Sequence, residues 1–296
     1  MDFATLSQFV LSGLTTGCVY ALVALGFVLC ANVSGVVNFA QGEFVMIGGL
    51  VAASLTALGT PLPFAILAAV AVGALLGIAQ ERLTLAPARR SPMFIQITIT
   101  LGVSVMIRSA ALLIWCKDPY AMPAFTSDEV FTFLGAVLPF QNLWVWGATA
   151  ALLVGTFWFL KFTATGRAVR ACSINAPAAR LMGINTARMS MLVFTTSGAI
   201  GALAGVVITP ITLASWSAGF DFGLKGFIGA IIGGFRSPTL AVLGGLGISV
   251  VESLAAGYIS SESKDAIAYG ALLIYLLVRG GVFTFGRASL SPIDSR

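Results

Sequence analysis

Long apolar runs, separated by short polar or basic stretches, occupy most of the chain. The first run, Phe9–Ala31, contains no charged residue. It is long enough to cross a bilayer as a helix, since a crossing needs about 20 apolar residues. The later runs are Phe44–Leu58, Leu62–Ala79, Met93–Trp115, Leu143–Leu160, Met189–Leu213, Phe222–Phe235, Thr239–Ile259 and Ala266–Val278. The pattern predicts an all-α polytopic membrane helical bundle of about 8–10 transmembrane segments, in which the shorter runs either cross fully or re-enter as broken helices.

The composition supports the membrane class and excludes several others. Hydrophobic residues make up 58% of the 296 positions and charged residues 9%, whereas soluble domains carry about 25% charged residues. Nucleic-acid binding is not expected, because the net charge of +5 is scattered along the chain. The chain has no histidine, and its four cysteines form no CxxC pair. We therefore expect no metal site and no histidine-based catalysis.

Basic residues are distributed unevenly between the two sets of loops. Twelve of the 16 lysines and arginines fall in the loops at 82–90 and 161–188, at Arg236 and in the C-terminal tail. Cytoplasmic loops of membrane proteins are enriched in these residues. We therefore expect a periplasmic N-terminus and a cytoplasmic C-terminus. Three basic residues fall on the opposite side: Lys117, Lys225 and Lys264.

Polar residues inside or beside apolar runs are candidate functional residues, because an ionisable group in the bilayer is costly. Asn38, Gln41 and Glu43 stand where a polar stretch enters an apolar run. Either they line a path through the bundle, or Glu43 simply favours the positive end of its helix. Arg108 and Glu252 lie at similar depths in their runs. We expect them to form a buried ion pair, with separate polar contacts as the alternative.

A weak internal similarity relates two glycine-containing stretches, Gln41–Gly49 and Lys225–Gly234. Inverted half-repeats of this kind build many transporters, whose broken helices meet near the middle of the membrane. Chance similarity in a glycine-rich chain is the alternative interpretation.

The loop at 161–188 carries start and stop signals for one short helix. Asn175 is a favourable N-cap residue, Pro177 is tolerated in the first turn, and Gly183 suits the left-handed residue that ends a helix. A helix this short is marginal alone in water. We therefore expect a partner to support it, with a solvated basic connector as the alternative.

With these motifs the chain resembles the branched-chain amino-acid permeases of bacterial ABC importers. The loop is similar to that family's EAA loop, whose Ala-Ala-x-x-x-Gly-Ile pattern is carried by Ala178, Ala179, Gly183 and Ile184. The segments Asn38–Glu43 and Gly226–Gly234 resemble two further parts of the family. One departure is that Pro177 precedes the alanine pair and the acidic residue of the general EAA loop is absent.

The resemblance implies one transmembrane permease domain over residues 1–296, placed in the bacterial inner membrane and importing branched-chain or related amino acids. It implies a second homologous permease subunit, two cytoplasmic ATPase subunits and a periplasmic substrate-binding protein as partners. It also implies that the short helix couples the ATPases to transport, with Asn175 at its start and Leu181 and Met182 on its contact face.

No GxxxxGK[ST] phosphate loop occurs in the sequence. We therefore expect no cofactor in this chain and no enzyme activity of its own, with ATP bound by the partner subunits. Three alternatives stay open: a permease of the same family for urea or short amides, an ion-coupled secondary transporter using Glu43, Asp221 or Glu252, and a passive channel for a small neutral solute.

Overall fold

The computed structural model describes residues 3–126, 129–235, 237–260 and 264–287. Arg236 and the tail after residue 287, which the count of basic residues includes, lie outside the described residues. The described elements are α1 (Phe3–Ser34), α2 (Gln41–Ala57), α3 (Leu62–Gln80), a π-helical turn (Glu81–Leu85), α4 (Met93–Trp115), β1 (Val130–Phe133), β2 (Ala136–Pro139), α5 (Gln141–Phe162), α6 (Ala164–Ile174), α7 (Ala176–Leu181), α8 (Thr186–Thr212), α9 (Ala218–Ile232), α10 (Pro238–Tyr258) and α11 (Lys264–Arg287).

The predicted all-α membrane bundle is confirmed. Each apolar run of the sequence corresponds to a helix, namely α1 to α5 and α8 to α11. Among the described residues, six helices are long and apolar enough to cross a membrane: α1, α3 with its π-helical turn, α4, α5, α8 and α10. The chain is therefore a multi-pass membrane protein. The small β1–β2 hairpin and the helix α6 were not predicted.

The bundle has two opposite faces, which the chain connections define. The antiparallel β1–β2 hairpin lies between α4 and α5. It is tied to the start of α1, where Ser7 Oγ donates to the Leu134 carbonyl at 2.8 Å and Gln8 Nε2 donates to the Val137 carbonyl at 3.0 Å. Helices α6 and α7 follow the far end of α5. We call these two ends the hairpin face and the basic-loop face.

The second half of helix α1 forms the centre of the bundle, because it is apolar on every side. Every residue from Gly17 to Cys30 is buried, against α8, α9 and α10 among others. The outer helices instead leave large apolar side chains exposed, among them Leu113 on α4, Val154 on α5 and Leu277 on α11. In a membrane protein such side chains face lipid.

The connection between α1 and α2 turns back into the bundle instead of staying at its surface. Asn38 in this connection is fully buried, and α2 begins at Gln41. The backbone N–H of Phe39 donates to Thr100 Oγ1 at 3.4 Å, inside α4, and Gln41 Nε2 donates to the Ser197 carbonyl at 3.2 Å, inside α8. This is a broken helix of the kind that the sequence predicts.

Candidate functional site

Polar side chains surround the break between α1 and α2 and hold it in place. Asn38 Oδ1 accepts hydrogen bonds from Gln80 Nε2 at 2.5 Å and from the Ala40 backbone N–H at 3.1 Å. Gln41 Oε1 accepts from Ser197 Oγ at 2.7 Å. Asn38 and Gln41 are both 0% exposed, so in this chain they are packed against neighbouring helices rather than lining an open cavity.

Glu43 lies in the first turn of α2 and is 1% exposed. Its Oε1 accepts a hydrogen bond from Ser104 Oγ at 2.8 Å, and its Oε2 lies against Gly219 of α9. Three polar atoms around the break have no hydrogen-bond partner among the described residues: Glu43 Oε2, Asn38 Nδ2 and Gln80 Oε1. Each unsatisfied buried polar group costs about 1–3 kcal/mol, so their clustering marks the break as a functional candidate.

Helices α2 and α9, which contain the two similar glycine-rich stretches, pack directly against each other in this region. Gly42 packs on Gly219 and Gly223, and a Cβ at Gly42 would stand 2.5 Å from the Gly223 Cα. No side chain fits between these backbones. Close helix contact at small residues is the usual way in which helices associate within membranes.

The structure corrects the expected pairing of Glu252. Glu252 lies 2.5 Å from Lys225 Nζ through Oε1, and its Oε2 accepts a hydrogen bond from the Tyr20 hydroxyl at 3.1 Å. Lys225 also lies 2.9 Å from Asp265 Oδ1. The physical reason is that Lys225 is a buried residue of α9, 5% exposed, close enough to α10 to pair with Glu252, whereas the charge count placed it only on the side opposite the basic loops.

Arg108 makes a separate contact. Its guanidinium stands 4.9 Å from the ring centroid of Phe220, a cation–π arrangement. Among the described residues it forms no ion pair with Glu252. Separate polar contacts for the two residues, the alternative in the sequence interpretation, describe the structure.

The predicted short helix in the loop at 161–188 is confirmed as α7. Asn175 Oδ1 accepts from the Ala178 N–H at 3.0 Å, so it is the N-cap. Gly183 has a φ of +82° and stands just beyond the helix end, and the next residue, Ile184, donates its N–H to the Ala179 carbonyl at 3.0 Å. Ala179 is buried against the rest of the chain, which fixes the helix on the bundle.

Large apolar side chains project from this end of the molecule. Leu181 is 90% exposed and Met182 is 83% exposed, although both are apolar. Ile174, at the end of α6, is 86% exposed and was missed by the sequence analysis. We call these three residues the apolar patch. Arg180 beside the patch is held by a hydrogen bond from its Nε to Thr186 Oγ1 at 2.8 Å.

Helix α6, which carries Ile174, has sequence signals that could have been found. Thr163 caps its start by accepting from the Gly166 N–H at 2.9 Å, and the buried positions Gly166, Val169 and Cys172 recur every third residue. Burial raises the pKa of the Cys172 thiol, partly opposed by Arg180. With 3% of its surface exposed, this cysteine is a packing residue of α6.

Comparison with known proteins identifies the family. Residues 9–278 match the family described as "Branched-chain amino acid transport system / permease component". The chain belongs to this family. LivH, the high-affinity branched-chain amino acid transport system permease protein of Salmonella typhimurium, is 31% identical over 292 residues, which cover 94% of each chain. BraD of Pseudomonas aeruginosa, whose name describes the same kind of permease, is 30% identical over 286 residues, covering 92% of this chain and 93% of BraD.

A solved structure, PsaBC from Streptococcus pneumoniae in complex with Fab, matches 93% of this chain and 92% of its own, with 15% identity and a TM-score of 0.49. Membership in the family confirms the resemblance seen in the sequence. The three segments on which that resemblance depended fall at the α1–α2 break, in and just after α9, and at α7.

Proposed function

We propose that this chain is the membrane-spanning permease subunit of an ABC importer for branched-chain or related amino acids. The family match over residues 9–278 carries the proposal. It is supported by LivH, a branched-chain amino acid permease whose alignment covers 94% of this chain. In this proposal the protein lies in the bacterial inner membrane, with the basic-loop face in the cytoplasm and the hairpin face in the periplasm. The excess of basic residues in the loop at 161–188 supports this orientation.

The apolar patch is the proposed contact with the ATPase subunits. Burying a leucine or methionine side chain is worth about 1.5–3 kcal/mol, whereas an exposed ion pair with one of the nearby arginines adds about 0–1 kcal/mol. Leu181, Met182 and Ile174 therefore supply most of the docking free energy, and the arginines orient the partner. Helix α7 then passes the movement of the ATPase to α6 and α8, between which it is connected.

Asn38, Gln41 and Glu43 are the proposed lining of the translocation path. In the structure they are buried, and one side-chain atom each of Asn38 and Glu43 has no hydrogen-bond partner among the described residues. Non-helical backbone at membrane depth is tolerated only where it is covered by protein or lines a cavity. Movement of the helices at the break would expose these polar atoms to water or substrate in such a cavity.

The remaining partners follow from the same proposal. A second, homologous permease completes the membrane core, two ATPase subunits bind ATP in place of this chain, and a periplasmic binding protein delivers substrate to the hairpin face. The chain itself then needs no cofactor, and it contributes transport without catalysis.

Substitution of Leu181 by glutamate tests the coupling role. Leu181→Glu places a charge in the apolar patch, and we expect co-purification of the ATPase subunits to fall by about tenfold or more, corresponding to at least 1.4 kcal/mol. Leu58→Glu is the matched control, because Leu58 is 80% exposed in the turn after α2 at the opposite face. Full ATPase binding by the Leu181 variant would show that coupling occurs elsewhere.

A further inference from the structure

An open cavity of about 400 Å³ lies between α1, α9, α10 and the start of α11, toward the hairpin face. Two of its walls, α1 and α10, meet at this face: the Phe9 ring of α1 packs edge-to-face on Tyr258 at the end of α10, next to Gln8, which binds the hairpin. Pockets that bind small molecules have volumes of about 300–1,000 Å³. The cavity is therefore large enough for a small solute.

The floor of the cavity is a closed ionic cluster. Lys225 and Glu252 are only 5% and 7% exposed, and their charges satisfy each other, with the Tyr20 hydroxyl on the second Glu252 oxygen. Asp265 is the second partner of Lys225. Because these groups already bind one another, they form the base of the cavity and are not the groups that we expect to bind a ligand.

The rim of the cavity carries two further charges of opposite sign. Asp221 of α9 and Lys264 at the start of α11 both line the cavity and are both exposed. Within the described part of the chain, neither forms an ion pair within 4.0 Å. The wall beside them includes the apolar side chains of Leu213 and Phe222. A carboxylate and an ammonium group, neither in a direct ion pair with another described residue, thus face one space together with an apolar surface.

We infer that this cavity is an entry subsite for a zwitterionic amino acid with an apolar side chain. The substrate ammonium group binds Asp221, its carboxylate binds Lys264, and its side chain packs on Leu213 and Phe222. A neutral amide or urea carries no charge to match Asp221 or Lys264, which favours the zwitterion. This inference rests on the proposed function, since it names where the imported amino acid first contacts the permease.

Helix α9 connects this subsite with the broken helix. Asp221, Phe222 and Lys225 are spaced to share one side of α9, which lines the cavity. Gly219 and Gly223 lie on another side, against Glu43 and Gly42 of α2. A ligand bound to Asp221 therefore contacts the same helix, α9, that packs against Glu43 of the proposed path.

Protection of a reporter thiol tests the subsite without any transport. Ser215→Cys places the thiol on the cavity wall of the full-length chain, with Cys18, Cys30 and Cys172 replaced. Native Cys116 is exposed and lies outside the cavity lining, so it is the internal reference. The probes are leucine, 4-methylpentanoate, which lacks the ammonium group, and 3-methylbutylamine, which lacks the carboxylate. We expect leucine alone to slow the labelling of Ser215→Cys relative to Cys116.

Removing the Asp221 carboxylate should weaken the protection that leucine gives to the reporter thiol. Asp221→Asn should raise the leucine concentration needed for protection by about tenfold or more, because a hydrogen bond to a charged group is lost. Asp118→Asn is the matched control, since Asp118 is an exposed acidic residue near the same face but outside the cavity lining. Unchanged protection in Asp221→Asn, or equal protection by the two singly charged analogues, would overturn the inference.

The outcome separates the subsite from the proposed function. Absence of leucine protection in a chain that supports ATP-dependent uptake with its partners would refute the subsite and leave the proposed function intact. Protection together with absence of such uptake would support the subsite and refute the proposed function.

Discussion

Removing the Lys225 ammonium group should destabilise the protein far more than removing the Arg108 guanidinium. Lys225→Met leaves the Glu252 carboxylate, 7% exposed, with the Tyr20 hydroxyl as its one remaining hydrogen-bond partner among the described residues. Breaking a buried ion pair in this way costs about 3–5 kcal/mol. Arg108→Met loses the contact with Phe220, and a cation–π contact is worth about 0.5–2 kcal/mol.

A double-mutant cycle makes the comparison specific. Lys225→Met combined with Glu252→Leu removes both buried charges, so the double variant should be more stable than the sum of the single effects predicts, by about 0.5–3 kcal/mol. Arg108→Met combined with Glu252→Leu should be additive within about 0.5 kcal/mol, because the two residues do not share a contact.

The free energy of unfolding is measured on the detergent-purified chain, with denaturant titration followed by the fluorescence of its five tryptophans. The wild-type chain and the single and double variants are compared under one set of conditions. Strong coupling between positions 108 and 252, with additive effects at positions 225 and 252, would refute the ion-pair assignment.

Three further predictions concern α7 and the broken helix. Gly183→Val should weaken ATPase co-purification, because a side chain at a φ of +82° is strained by about 1–2 kcal/mol; Gly102→Val, where a Cβ has open space in helical backbone, should not. Asn175→Ala should cost about 1 kcal/mol of local helix stability through loss of the N-cap, visible as faster amide exchange in α7. Gln41→Cys, in a chain without native cysteines, should react with a small water-soluble thiol reagent in at least one nucleotide state of the ATPase subunits, while the control Phe44→Cys stays unreactive. Protection of Gln41→Cys in every state would show that the path lies elsewhere.

The sequence predicted the helices best where local signals mark both ends. Met93–Trp115 matches α4 at both ends, and the loop helix was placed correctly from Asn175 and Gly183. Helix α1 begins at Phe3 and not at Phe9, because Ser7 and the residue after it bind the hairpin. That contact joins residues more than 120 positions apart, so the local sequence pattern around Ser7 cannot predict it.

The charged cluster could not be derived from the sequence for a related reason. Lys225 stands in a short glycine-rich run, and the charge count assigned it to the side opposite the basic loops without a partner. Its partners Glu252 and Asp265 come from two other helices, 27 and 40 positions along the chain. Burial of a lysine becomes favourable only when such partners surround it, and this depends on how α9, α10 and α11 pack.

The most direct test of the proposed function is uptake of labelled leucine into proteoliposomes. One preparation holds this chain alone, and the other holds it with the second permease, the ATPase subunits and the binding protein. We predict uptake only in the complete assembly and only with ATP, unaffected by excess urea or acetamide. Uptake by the chain alone, without ATP, would contradict the proposal and indicate a secondary transporter or a channel.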